Sequence, residues 1–159
     1  MKPDPEVRFD KALMAVGSRH PLTFEQFTRV RKIAGEAVPQ LHACLAGLGI
    51  RPAGPDIFEY HFQDSPHGPK RIRGGKFTLT IAVPVSEVVA PPAPLEFMTL
   101  GSFRYLQFLT NSFGDKWRQI RDFAEEQGFE RSLVEREVYV DWKGTGHRDS
   151  KVALQVGIK

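Results

Sequence analysis

The order of the expected secondary-structure elements occurs twice in this chain of 159 residues. Each half has the pattern of a strand, a helix and two further strands. The spacing supports a duplication, because Tyr60 follows Gly49 by 11 residues and Tyr139 follows Gly128 by the same 11. A βαββ unit of about 65–75 residues is marginally stable alone, since one helix covers only one face of its sheet. The pattern predicts two such units sharing a sheet; a coincidence between two common patterns is the alternative.

Apolar periodicity gives the expected boundaries of these elements. The first half has a strand at 11–19, a helix at 33–48 and strands at 56–63 and 76–85. The second half has strands at 97–109, 133–142 and 151–159, with a helix after the first of them. The first helix is expected to start near Gly35 or Glu36, because Pro39 is harmless only in a first turn. Gly49 and Gly128 are expected to end the two helices.

We expect one α+β domain over 11–159, with an antiparallel sheet and both helices on one face. Residues 1–10 are polar and contain prolines, which is typical of a flexible arm. The domain divides into a first repeat at 11–85, a proline-rich linker at 86–95 and a second repeat at 96–159.

Composition excludes several classes of protein. The net charge of +3 is too small for a typical nucleic-acid-binding surface, so no direct nucleic-acid partner is expected. A single cysteine excludes an internal disulfide, and the histidines lack the spacing of a metal site, so we expect no metal ion and no cofactor. Neither a membrane-spanning apolar run nor a secretory signal is present, which favours a cytoplasmic location without a membrane partner.

Aromatic residues are the unusual part of the composition, with 12 Phe, 3 Tyr and 2 Trp. Alternation along 133–142 places valines on one face of the strand and Glu137 and Tyr139 on the other. If the valine face packs on the helix, Glu137 and Tyr139 point to the face of the sheet that has no helix. Aligning Tyr60 with Tyr139 adds Phe58 and Phe62 to that face.

Such rings are costly to expose, so they are expected to line a cleft with Glu137 near its middle. Phe103 and Tyr105, of one parity on another ring-rich strand, are expected to extend the wall. A carboxylate among rings suits a flat, apolar and cationic ligand. The alternative is that the rings form a second core layer and that Glu137 is a solvated strand residue.

Several stretches also carry a family resemblance. In the first half these are Gly35-Glu36-Ala37-Val38-Pro39-Gln40-Leu41, Gly49-Ile50-Arg51-Pro52-Ala53-Gly54-Pro55, Tyr60-His61 and Ala82-Val83-Pro84-Val85. In the second half they are Arg136-Glu137-Val138-Tyr139-Val140-Asp141 and Leu154-Gln155-Val156-Gly157-Ile158. Together they resemble the GyrI-like small-molecule-binding domains, also called the AraC-type effector-binding domain. The resemblance implies two βαββ units with pseudo-two-fold symmetry and a ligand cleft between them. Glu137 matches a glutamate that recognises cationic aromatic ligands in many members.

The resemblance leaves three functions open. The first is binding or sequestration of an apolar, aromatic compound, related to transcription regulation in other members. The second is hydrolysis of reactive small electrophiles, with Glu137 as general base and a tyrosine as hydrogen-bond donor. The third is modulation of DNA gyrase or another protein partner. Because only about ten residues precede the first strand, we expect a stand-alone form without a helix-turn-helix module, as a monomer or weak dimer.

Overall fold

A computed structural model of the chain describes residues 4–63, 75–111, 116–141 and 151–159. In chain order its elements are β1 (Glu6–Asp10), β2 (Leu13–Thr23), a 3₁₀ helix (Phe24–Arg29), α1 (Val30–Gly47), β3 (Ile57–Phe62), β4 (Lys76–Pro84), β5 (Glu96–Leu100), β6 (Phe103–Thr110), α2 (Lys116–Glu126), β7 (Arg131–Asp141) and β8 (Lys151–Ile158). The strands form one antiparallel sheet in the order β1-β6-β8-β7-β3-β4-β2-β5. The predicted α+β class is confirmed.

The sheet is continuous across the two halves of the chain. The first half (β2, α1, β3 and β4) and the second half (β6, α2, β7 and β8) meet where β3 pairs with β7. Strands from both halves therefore lie side by side at the centre of the sheet. An internal two-fold symmetry relating the halves stays a prediction.

Both helices cover the same face of the sheet. Leu41 and Leu45 of α1 are buried in one cluster with Leu79 of β4, whereas Ile120 of α2 is buried in a second cluster with Val156 of β8. α1 packs on β4 and β2, and α2 packs on β6 and β8. The central strands β3 and β7 therefore lie between the areas that the helices cover.

The first helix begins earlier than predicted. It starts at Val30, directly after the 3₁₀ helix, and Pro39 lies inside it. Val30 and Ile33 pack against the core around Leu41, and this burial offsets the hydrogen bond that an interior proline removes.

The ends of both helices and the bounds of one strand agree closely with those predicted from the sequence. Gly49 and Gly128 follow the two helices with φ of 71° and 74°, the left-handed conformation that glycine adopts without strain. The strand predicted at 76–85 is β4, Lys76–Pro84. Residue 142, at the end of the strand predicted over 133–142, lies outside the described residues.

Two predictions about the strands were wrong. Residues Glu6–Asp10 of the predicted arm form β1, whose backbone pairs with β6 at one edge of the sheet. The single strand predicted over 97–109 is two strands separated at Gly101. β5 pairs with β2 at one edge, while β6 pairs with β1 and β8 near the other, which one uninterrupted strand cannot do. Apolar and aromatic residues continue through the break, so periodicity gives no sign of it.

Neither described helix is long and apolar enough to cross a membrane.

Candidate functional site

Glu137 is a buried carboxylate at the centre of the sheet. It lies on β7, and only 6% of its surface is exposed. The hydroxyl of Tyr60 donates a hydrogen bond of 2.6 Å to its Oε1, and the hydroxyl of Tyr139 donates a longer one of 3.4 Å to the same atom. Both donors are neutral phenols, so they orient the carboxylate without cancelling its charge.

The pairing of β3 with β7 brings these groups together. Phe58 lies directly opposite Glu137, and Tyr60 lies opposite Glu135. Opposed residues of antiparallel strands point to the same face, with Cβ atoms about 5 Å apart. The ring of Phe58 packs 4.6 Å from that of Tyr139, measured between centroids. Glu137 therefore has aromatic neighbours on its own strand and on the adjacent one.

Burial dominates the electrostatics of the site. Loss of water raises the pKa of Glu137 to about 7, the two tyrosine hydrogen bonds oppose that rise, and the nearby Glu135 adds to it. Burial beside Glu137 raises the pKa of Tyr60 and of Tyr139, so both keep their protons. Among the described groups of this site, Glu137 is the one with a pKa raised to about 7, so near neutral pH it can accept a proton or pair with a cation.

The aromatic rings around Glu137 continue into the core beneath the 3₁₀ helix. Tyr60 stacks on Phe27 of that helix, with centroids 6.1 Å apart. Phe62 stacks on Phe24 at 6.0 Å and is buried in the same cluster as Phe77. Phe62 is thus a core residue beside the site, and it does not contact Glu137 in any described interaction. Phe24 and Phe27 had not been predicted as part of this wall.

The prediction placed Phe58, Tyr60 and Glu137 on the wrong face of the sheet. Tyr60 lies opposite Leu79, whose side chain packs beneath α1, so Phe58, Tyr60 and Glu137 share the face that carries the helices. Val138 packs on the other face with Ile57. The prediction assumed that the valine face must meet a helix. Because β7 lies between the helices rather than beneath one, that assumption does not hold for it.

Phe103 and Tyr105 lie on the opposite face from Glu137. Their rings stack on each other with centroids 5.0 Å apart, and the guanidinium of Arg136 lies 4.2 Å from the centre of the Phe103 ring. Arg136 is also paired with Glu59 at 2.7 Å. Successive residues of a strand point to opposite faces, so Arg136 and its aromatic neighbours are separated from Glu137 by the sheet.

Two residues near Glu137 were missed by the sequence reasoning. Glu135 is 4% exposed and accepts two hydrogen bonds from Arg121 of α2, at 2.9 and 2.6 Å. The alternation of side chains along β7 puts Glu135 on the same face as Glu137, and this could have been inferred from the sequence. The contribution of Arg121 needed the position of α2 over the sheet. Among the described residues, no three His, Cys, Asp or Glu side chains are grouped as metal ligands.

Comparison with known proteins shows similarity in structure alone. No family model and no curated protein matches the sequence. The C-terminal domain of EcmrR superposes with a TM-score of 0.70 at 12% identity, covering 98% of this chain and 96% of that one. SAV2435 bound to tetraphenylphosphonium has a TM-score of 0.66 at 13% identity, covering 99% and 94%. A hydrolase encoded by lin2189 from Listeria innocua has a TM-score of 0.62 at 12% identity, covering 98% and 92%. The chain therefore shares the fold of these three proteins.

Proposed function

We propose that this protein is a GyrI-like domain that binds a small, apolar, aromatic cation between its two helices, with Glu137 as the counter-charge. The observation that carries the proposal is a buried carboxylate hydrogen-bonded by Tyr60 and Tyr139 and flanked by Phe58. A buried carboxylate is costly when unpaired, and a cation offsets that cost. The ring faces attract the same cation and contact its apolar surface.

The shared fold supports this proposal. The solved structure of SAV2435 contains tetraphenylphosphonium, which is an aromatic cation. The resemblance to GyrI-like domains, in which Glu137 matches the family's glutamate, supports it too, because Glu137 is the residue with the buried carboxylate. Roles in transcription or in gyrase modulation, a stand-alone monomer or weak dimer, and a cytoplasmic location stay predictions.

The test is a calorimetric titration of tetraphenylphosphonium into the wild type and into Glu137→Gln. The substitution keeps the size of the side chain and removes its charge, so affinity is expected to fall at least about tenfold. Glu36→Gln is the matched control, because Glu36 is exposed on α1 and its loss changes the net charge equally. Equal affinity of the wild type and Glu137→Gln overturns the proposed role of the carboxylate.

A second candidate is hydrolysis of a reactive electrophile. It is favoured by a carboxyl whose pKa is raised to about 7, a value suited to a general base near neutral pH. Glu137 would take a proton from water as the water oxygen attacks, and Tyr60 or Tyr139 would donate to the developing anion. The structural similarity to a hydrolase from Listeria innocua supports this alternative.

Mass analysis separates the two candidates. The protein is incubated with an aromatic epoxide such as styrene oxide, and the recovered compound is compared with a protein-free sample. Gain of one water molecule by the compound, abolished in Glu137→Gln, identifies a hydrolase. Recovery of unchanged compound from a protein that binds tetraphenylphosphonium identifies a binding protein.

A further inference from the structure

Glu135 is a second buried carboxylate in the site. It lies two residues before Glu137 on β7, and alternate strand residues share a face. Both side chains are nearly inaccessible, with 4% and 6% of their surfaces exposed. Two uncompensated negative charges this close would oppose each other's ionisation.

Arg121 compensates one of the two carboxylates. Its Nε donates to Oε2 of Glu135 at 2.9 Å, and its Nη2 donates to Oε1 at 2.6 Å. Its guanidinium also lies 5.3 Å from the ring of Trp117, one helical turn earlier on α2. The paired geometry and the ring contact hold the guanidinium on Glu135.

The two carboxylates therefore have different partners. Glu135 is paired with a cation from the protein, whereas the hydrogen bonds to Glu137 come from the neutral hydroxyls of Tyr60 and Tyr139. Within the described parts of the chain, a bound ligand thus meets one negative charge that an arginine compensates and one that no cation compensates.

We propose that Arg121 determines the charge of the ligand, by compensating Glu135 so that the site accepts a monocation in preference to a dication. This inference rests on the proposed function, because it assigns the ligand's charge at the same site. Without Arg121, Glu135 loses its hydrogen-bonded cation and keeps only its electrostatic interaction with Arg131, so a second positive charge on the ligand gains a partner. A monocation gains less from the change, because it carries half the charge and leaves one of the two carboxylates unpaired.

The experiment compares two probes of similar biaryl shape that differ by one charge. N-methyl-4-phenylpyridinium carries one positive charge, and methyl viologen carries two. Each is titrated by calorimetry into the wild type, Arg121→Gln and the double variant Arg121→Gln/Glu135→Gln. Arg118→Gln is the control, because Arg118 is exposed on the same helix and its loss changes the net charge equally.

The wild type is expected to bind the monocation more tightly. In Arg121→Gln the ratio of the two dissociation constants is expected to shift towards the dication by about tenfold or more, since charges in a buried site interact strongly. The double variant, which lacks both Arg121 and the Glu135 charge, returns to the ratio of the wild type. Arg118→Gln keeps the wild-type ratio.

An unchanged ratio in Arg121→Gln, or a ratio that stays shifted in the double variant, overturns the inference while leaving the proposed function standing. Failure of the wild type to bind either probe overturns the proposed function and the inference with it. If the near-ultraviolet circular dichroism spectrum shows that Arg121→Gln does not fold, Glu135→Gln replaces it. In that variant the ratio of the two dissociation constants is expected to shift in the opposite direction. There Arg121 is uncompensated, so the dication is expected to lose more affinity than the monocation, and an equal loss overturns the inference.

Discussion

Tyr60 donates a 2.6 Å hydrogen bond to Glu137 although the two residues are 77 positions apart in the chain. The register of β3 and β7 places Tyr60 opposite Glu135, so its hydroxyl reaches diagonally to the next inward-facing carboxylate. The bond favours the ionised form of Glu137, while burial favours the protonated form. Their balance holds the pKa of Glu137 at about 7.

Binding of a cation is expected to depend on pH. Glu137, with its pKa of about 7, is mostly ionised above neutrality and mostly protonated below it. The affinity for tetraphenylphosphonium should rise about tenfold between about pH 6 and about pH 8, following the ionised fraction. Calorimetry across this range checks the profile. Glu137→Gln should give a flat one, and a wild-type profile equally flat would contradict the assigned charge.

The two tyrosine donors are expected to contribute unequally. Tyr60→Phe removes the 2.6 Å bond to Glu137, which raises the pKa of the carboxyl and weakens cation binding near neutral pH by about threefold to tenfold. Raising the pH to about 9 should recover most of that loss, because it ionises the carboxyl again. Tyr139→Phe removes a bond of 3.4 Å and should shift the pH profile less. A larger shift in Tyr139→Phe would reverse the order of the two donors.

How much the sequence determines differs between the elements and the site. The alternation in β4 and the glycines after both helices predicted those features well, because backbone geometry and periodicity are local properties. The face on which Glu137 lies was not predictable in the same way. It depends on which strands lie beneath α1 and α2, and that lateral order arises from pairing between distant segments.

The chemistry of Glu137 was easier to anticipate than its surroundings. Its parity with Tyr139 and the match with Tyr60 were visible in the sequence, and the structure joins all three by hydrogen bonds. The role expected for Phe103 required it to lie on the same face as Glu137. Phe103 lies on the face without helices, as expected, but Glu137 lies on the face with the helices, so the Phe103 ring contacts Arg136 instead.

Phe58 and Phe103 should therefore respond differently to the same substitution. Phe58→Leu removes a ring beside Glu137 and should lower the affinity for tetraphenylphosphonium about fivefold. Phe103→Leu removes the ring that contacts Arg136 on the opposite face and should reduce the free energy of unfolding by about 1–3 kcal/mol, with affinity unchanged. Calorimetry and chemical denaturation measure the two effects. An affinity loss confined to Phe103→Leu would place the ligand on the other face.

The same substitution, glycine to alanine, should change the free energy of unfolding in opposite directions at Gly157 and Gly35. A Cβ on Gly157 would lie 2.6 Å from the carbonyl oxygen of Val134 and 2.7 Å from Cε2 of Phe103, so Gly157→Ala should lower the free energy of unfolding by about 2–4 kcal/mol. Gly35 lies inside α1, and a Cβ there would meet nothing within 4 Å. Because alanine favours a helix more than glycine does, Gly35→Ala should raise the free energy of unfolding by about 0.5–1 kcal/mol. Thermal unfolding of both variants checks the two signs. A neutral Gly157→Ala would contradict this packing.

The diagonal course of the hydrogen bond from Tyr60 links the site to the twist of the sheet. A hydrogen bond between residues that are not directly opposite each other on paired strands changes length when the strands rotate about one another. Because β3 belongs to the first half and β7 to the second, this bond adds a side-chain link between the halves to the backbone pairing of the two strands. A ligand that replaces the bond would take over this side-chain link and leave the backbone pairing of β3 with β7 in place.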